Sequence, residues 1–154
     1  MGEPRWLDQG EQRAWRDFLE AASIVHRLVE QQLKDEAGLS HPQWEVLARL
    51  SAAPGGELRM TELAGAALTS KSGLTYQVGQ LEKVGLVRRR VCETDVRGIL
   101  AVLTPAGWAK LREVAPGHAA LVRELFLDGL DRDRFAAFAE GLAALAVHLR
   151  AAAG

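Results

Sequence analysis

Apolar residues recur at helical spacing from about Gln12 to Lys34, at Trp15, Phe18, Leu19, Ala22, Val25, Val29 and Leu33, and predict one long amphipathic helix that Gly38 helps to end. Ser40 then stands as an N-cap, with Pro42 in the first turn, for a second helix through Trp44, Val46, Leu47 and Leu50. Ala53-Pro54-Gly55-Gly56 breaks it. A short helix from Thr61 to Leu68 carries small residues where another helix must cross closely. After a turn at Thr69-Ser70, a longer helix runs from Lys71 to Val84 with Leu74, Val78 and Leu81 on one face. The period then changes: two β-prone runs, Leu86 to Cys92 and Ile99 to Leu103, flank the turn-rich Glu93 to Gly98 and predict an antiparallel hairpin. Thr104-Pro105 caps a fifth helix to about Leu127, which Pro116-Gly117 should kink or interrupt. Asp131 caps a last helix whose apolar stripe is Phe135, Phe138, Ala139, Leu142, Leu145, Ala146 and Leu149.

This order predicts a fold that is mainly α with a small β-hairpin wing. It is a winged helix-turn-helix over about residues 42–104, inside one domain spanning 1–154. The outward face of the Lys71 to Val84 helix offers Ser72, Thr75, Tyr76, Gln77 and Gln80, with Ser70 and Lys71 at its start. Such groups hydrogen-bond base edges and phosphates, whereas a structural surface helix more often carries Glu and Lys pairs. The hairpin tip is expected to carry Arg97, placed to enter a minor groove where negative potential concentrates. Arg88, Arg89 and Arg90 alternate across a strand and cannot all face DNA; Arg88 and Arg90 are the candidate phosphate contacts. The helices over 12–34 and 105–152 carry more apolar surface than the winged unit can cover, so they are expected to dimerise around a two-fold axis.

Three motifs carry a family resemblance: Leu81-Glu82-Lys83-Val84-Gly85-Leu86-Val87-Arg88-Arg89, Asp95-Val96-Arg97-Gly98, and Leu103-Thr104-Pro105-Ala106-Gly107. In this order and spacing they resemble the MarR family of bacterial winged-helix regulators, whose pattern runs L-E-x-x-G-L-V-x-R, D-x-R-[GAS], L-T-x-x-G. The resemblance covers about a third of the chain by motif and implies a homodimeric DNA-binding regulator, a repressor relieved by a small ligand. It assigns minor-groove probing to Arg97 and bracing of the wing to Asp95. Many members carry Arg where Tyr76 and Gln80 stand and Asp at the position of Gly79, so no operator sequence carries over beyond a pseudo-palindrome on double-stranded DNA.

The formal net charge of -1 argues against a generally basic nucleic-acid binder. The distribution restores the reading: residues 57–104 hold 7 basic and 5 acidic side chains, while 1–56 hold 6 and 9. No secretory signal and no run of about 18 apolar residues stands out, which predicts a cytoplasmic chain without a membrane span. The lone Cys92 reads as a packed thiol in preference to a redox sensor. His26, His41, His118 and His148 are scattered without metal-ligand spacing, so neither metal nor cofactor is expected. Trp15, Trp44 and Trp108 support two readings: lining for a small aromatic or lipophilic ligand, or plain core. No H-E-x-x-H, G-x-S-x-G or phosphate-binding glycine loop suggests an enzyme. The competing class is a winged-helix module for protein contact without sequence-specific DNA binding, against which the polar reading face argues.

Overall fold

The computed structural model describes residues 4–66 and 70–153. Helix α1 spans Gln9–Ala37, longer than the periodicity predicts. Asp8 and Glu11 form a capping box at its start, and the Gly38 N–H closes its end on the carbonyls of Leu33 and Lys34. Helix α2, His41–Ala52, opens with the expected Ser40 cap, reinforced by Gln43 in a second capping box. A 3₁₀ turn at Pro54–Gly56 leads into a strand that the hydropathy pattern does not predict, β1, Glu57–Arg59. Helix α3 covers Met60–Ala66; the expected extension to Leu68, and Thr69 of the turn, lie outside the described residues. Helix α4 is Lys71–Lys83, and it buries Leu74, Val78 and Leu81 as its spacing requires.

Strands β2, Val87–Cys92, and β3, Asp95–Leu103, pair antiparallel, and β1 pairs with the other edge of β3, giving the sheet order β1-β3-β2. The hairpin differs from expectation at its end. Cys92 pairs with Asp95 and Val91 with Ile99, so the tip is Glu93–Thr94, and Val96 to Gly98 are extra residues bulged out of β3. Arg97 therefore stands on a strand bulge, one turn-width back from the tip. Asp and Gly mimic a loop in sequence, yet both fit a bulge equally well.

Helix α5, Pro105–Val122, runs through Pro116 without interruption. Proline removes one donor, and here the change of register comes later, in a π-helical turn at Arg123–Leu127. Helix α6, Arg132–Ala153, starts where the Arg134 N–H donates to the Asp131 carboxylate at 2.9 Å. By length and composition alone α6 is apolar enough to cross a membrane, with a mean hydropathy of 1.3 over 18 residues, although Glu140, His148 and Arg150 interrupt its apolar run.

The chain divides into two compact units, Met1–His118 and Ala119–Gly154. The first has a continuous core from α1 (Val29, Leu33), α2 (Trp44, Val46, Leu47, Leu50), Leu63 of α3, the buried face of α4, and Val87, Ala101 and Leu103 of the sheet. Leu111 and Val114 of α5 join it. In the second unit Phe126 packs edge-on to Phe135 and against Phe138, but α6 buries no residue at all.

Candidate nucleic-acid interface

Helix α4 is held at both ends. Ser70 accepts the Gly73 N–H at 3.1 Å as its N-cap, so this hydroxyl is already engaged, and Ser72 lies 3.3 Å from it. At the far end Gly85 adopts φ 77°, a conformation that favours glycine, and lets Leu86 turn back into the core. Lys71, Ser72, Thr75 and Tyr76 are exposed, whereas Gln77 and Gln80 are half-buried. Thr75 donates its hydroxyl hydrogen to the Lys71 carbonyl at 3.1 Å. The Oε1 of Gln77 is buried and has no hydrogen-bond partner among the described residues. The expected amide contact from Gln77 to a base therefore loses its acceptor half in this conformation.

The wing is fastened from both sides. Glu82 of α4 accepts the Arg89 backbone N–H at 3.1 Å and pairs with its guanidinium at 3.3 Å. From β1, Glu57 takes Arg90 in a two-oxygen grip at 2.8 and 2.7 Å, which raises the Arg90 pKa and holds its charge inward. Arg59 pairs with Asp95 at 3.4 Å, so a carboxylate beside the bulge is tied to the strand before α3. Of the candidate phosphate contacts, Arg90 is thus committed to the sheet, while Arg88 is exposed with no ion pair among the described residues. Sequence reasoning missed Glu57 and Arg59 because β1 itself carries no alternation long enough to read.

The third motif forms a joint. Thr104 donates to the Gly85 carbonyl at 2.6 Å and accepts the Gly107 N–H at 3.0 Å. Gly107 is buried against the Leu86 carbonyl and the Leu103 side chain, leaving no room for a Cβ. Thr104 and Gly107 thus have a hydrogen-bonding and a steric reason for their identity.

Cys92 is half-exposed, 3.2 Å from the Thr94 hydroxyl and 3.8 Å from Arg59. Hydrogen bonds from Thr94, then from the Asp95 backbone, and last the Arg59 charge, lower its pKa against the opposing effect of burial. The three tryptophans have different neighbours: Trp15 is exposed beside Phe18, Trp44 is buried against His118, and Trp108 abuts Gly56. Two clefts, of about 150 and 310 Å³, share Met60 and Thr61 and are lined by none of them.

The histidines prove less scattered than their spacing implies. His26 and His41 stack edge-on at 5.3 Å, His41 meets Glu45 at 3.6 Å, and His118 sits on Trp44 and hydrogen-bonds Gln32 at 3.2 Å. Burial, then the neighbouring His41 charge, holds His118 below the usual imidazole range, with Glu45 and Glu36 opposing. The folded state therefore binds fewer protons at His118 than the unfolded chain. The stability this confers is present above about pH 6.5 and is lost as pH falls through the lowered value. Glu45, lowered first by its hydrogen bond to His41, acts in the same sense but below its ordinary value of 4.5. Melting curves from pH 7.5 to 5.5 should show a falling midpoint in the native protein and a flatter profile in His118→Gln; an equal slope in both would assign the effect elsewhere.

Two consecutive helices, a three-stranded sheet and an arginine-bearing hairpin define a winged helix-turn-helix. The pattern of the MarR family matches residues 37–98. The structure superposes on Sco3205, a MarR family transcriptional regulator from Streptomyces coelicolor solved in complex with DNA, with a TM-score of 0.90 and 40% identity over 95% of this chain and 91% of that one. AbsC, a MarR family transcriptional regulator from the same organism, gives 0.91 and 40% over 96% and 99%. The HTH-type transcriptional repressor YetL of Bacillus subtilis (strain 168) is 31% identical over 97 residues, covering 63% of this chain and 58% of that repressor. The chain belongs to the MarR family of transcriptional regulators.

Proposed function

We propose that this chain is a homodimeric repressor that binds a pseudo-palindromic operator, with α4 in the major groove and the β2–β3 wing over the adjacent minor groove. The observation that carries the reading is the exposed polar start of α4, Lys71 to Tyr76, beside a wing fastened by three ion pairs. The DNA complex of a relative 40% identical supports it. The second copy is argued from exposed apolar surface: Phe138, Leu145, Val147 and Leu149 on α6, and Trp15, Phe18 and Leu19 on α1. Relief by a small aromatic or lipophilic ligand belongs to the same proposal and rests on the family resemblance. Arg97 on the bulge serves as the minor-groove probe, with Arg88 the exposed wing cation for phosphate.

Selection of bound fragments from random DNA tests this directly. The protein should enrich an imperfect palindrome with half-site centres about 10 base pairs apart. Arg97→Ala should then weaken binding across all sequences and flatten the salt dependence by about one charge per subunit. Enrichment of no sequence would favour the protein-contact module instead.

A further inference from the structure

Several of the hydrogen-bonding groups at the start of α4 are already engaged within the helix. Ser70 is occupied as the cap, with Ser72 beside it. Thr75 has committed its hydrogen to the Lys71 carbonyl, which leaves a methyl group and an acceptor lone pair. Gln77 has its carbonyl oxygen buried, and Gln80 is half-buried towards the far end of the helix, away from the N-terminal residues that enter a groove. What projects is Tyr76, 62% exposed, the largest side chain on this face. Long helical side chains lean towards the N-terminus, over the residues three and four positions back. For Tyr76 these are Gly73 and Ser72, both small, so nothing on its own helix covers the ring.

An aromatic ring beside a threonine methyl, on a helix start from Lys71 to Tyr76 that carries no guanidinium and no amide, matches one feature of the major groove: the C5-methyl group of thymine. We infer that α4 discriminates DNA by apolar contact of Tyr76 and Thr75 with thymine methyls, one or two in each half-site. This rests on the DNA-binding reading above and names the chemistry of its recognition. Lys71, exposed at the helix start, is left to phosphate, where it positions without reading.

The test uses the full-length protein and the site it selects from random DNA. Each thymine in turn is replaced, in both half-sites, by deoxyuridine, which keeps pairing and removes only the methyl. Losing one buried methyl should weaken binding about 4-fold per half-site, or about 15-fold for the symmetric pair. The same loss should appear with Tyr76→Phe, which keeps the ring. With Tyr76→Ala and Thr75→Ser combined the uridine penalty should largely vanish, because both apolar partners of the methyls are gone. Tyr76 is exposed, so an unchanged melting temperature will verify that the variant is folded. Uridine that is neutral at every position, a penalty that persists in the Tyr76→Ala/Thr75→Ser double variant, or loss of the site in Tyr76→Phe would each overturn the inference. A native protein that enriches no sequence overturns the DNA reading, and this inference with it; one that enriches a site yet ignores uridine overturns this inference alone.

Discussion

Leu145→Glu combined with Leu149→Glu should leave the protein folded but monomeric at micromolar concentration. Both side chains lie on α6 and are 40% and 52% exposed within one chain, so the isolated subunit loses little by the change. In a two-fold dimer each substitution acts twice. Fully burying a leucine contributes about 1.5–3 kcal/mol, and roughly half of each side chain is still open, so four leucines lost from an interface should remove about 3–6 kcal/mol, or roughly 10²- to 10⁴-fold in the dimer dissociation constant. Sedimentation velocity reads the assembly state, and circular dichroism checks that helix content is retained. A double variant that remains a dimer would place the second copy on another surface, such as the exposed Trp15 and Phe18 of α1.

Gly107→Ala should be the most destabilising single methyl that can be added to this chain's motifs. A Cβ there would run into the Leu86 carbonyl and meet the Leu103 side chain at 2.9 Å, and backbone cannot rotate away as a flexible side chain can. Overpacking of this kind costs about 1–3 kcal/mol where side chains can yield, and the upper end is expected here. In a chain of 154 residues that corresponds to a melting temperature lower by roughly 6–12 °C. Thermal unfolding measures it; a shift under about 2 °C, the low end for a 1 kcal/mol change, would mean that α5 can slide without cost. Gly141→Ala, at a helical site with open space, provides the contrast and should be neutral or slightly stabilising.

The parts of this fold that are legible in sequence are those set by local chemistry. The caps at Ser40, Thr104 and Asp131 and the buried face of α4 depend on neighbours within one turn and stand where their residues predict, while α1 runs longer than its period and α5 passes Pro116 unbroken. The wing is legible as a hairpin but not in its register, because Asp95 to Gly98 reads as a loop while the pairing partner of Cys92 is decided by the opposite strand. β1 escapes notice, since Glu57-Leu58-Arg59 gains strand character only by lying along β3. The fates of Arg90 and Gln77 are illegible for a related reason. Whether a guanidinium meets DNA or Glu57 depends on a residue 33 positions away, and whether an amide faces outward depends on the packing around its helix. His26, His41 and His118, far apart in sequence, are likewise brought to ring contacts by helix packing alone.

The two hydrogen bonds of Thr104 have a mechanical consequence. One hydroxyl pins the end of the reading helix to the start of α5, through Gly85 on one side and Gly107 on the other. Rotating either segment breaks a bond held by the same oxygen, at a cost of about 0.5–1.5 kcal/mol for each bond lost. The corner is therefore braced on both sides through a single hydroxyl. Thr104→Val, alike in shape but without the hydroxyl, would keep the outline of the corner and remove its brace.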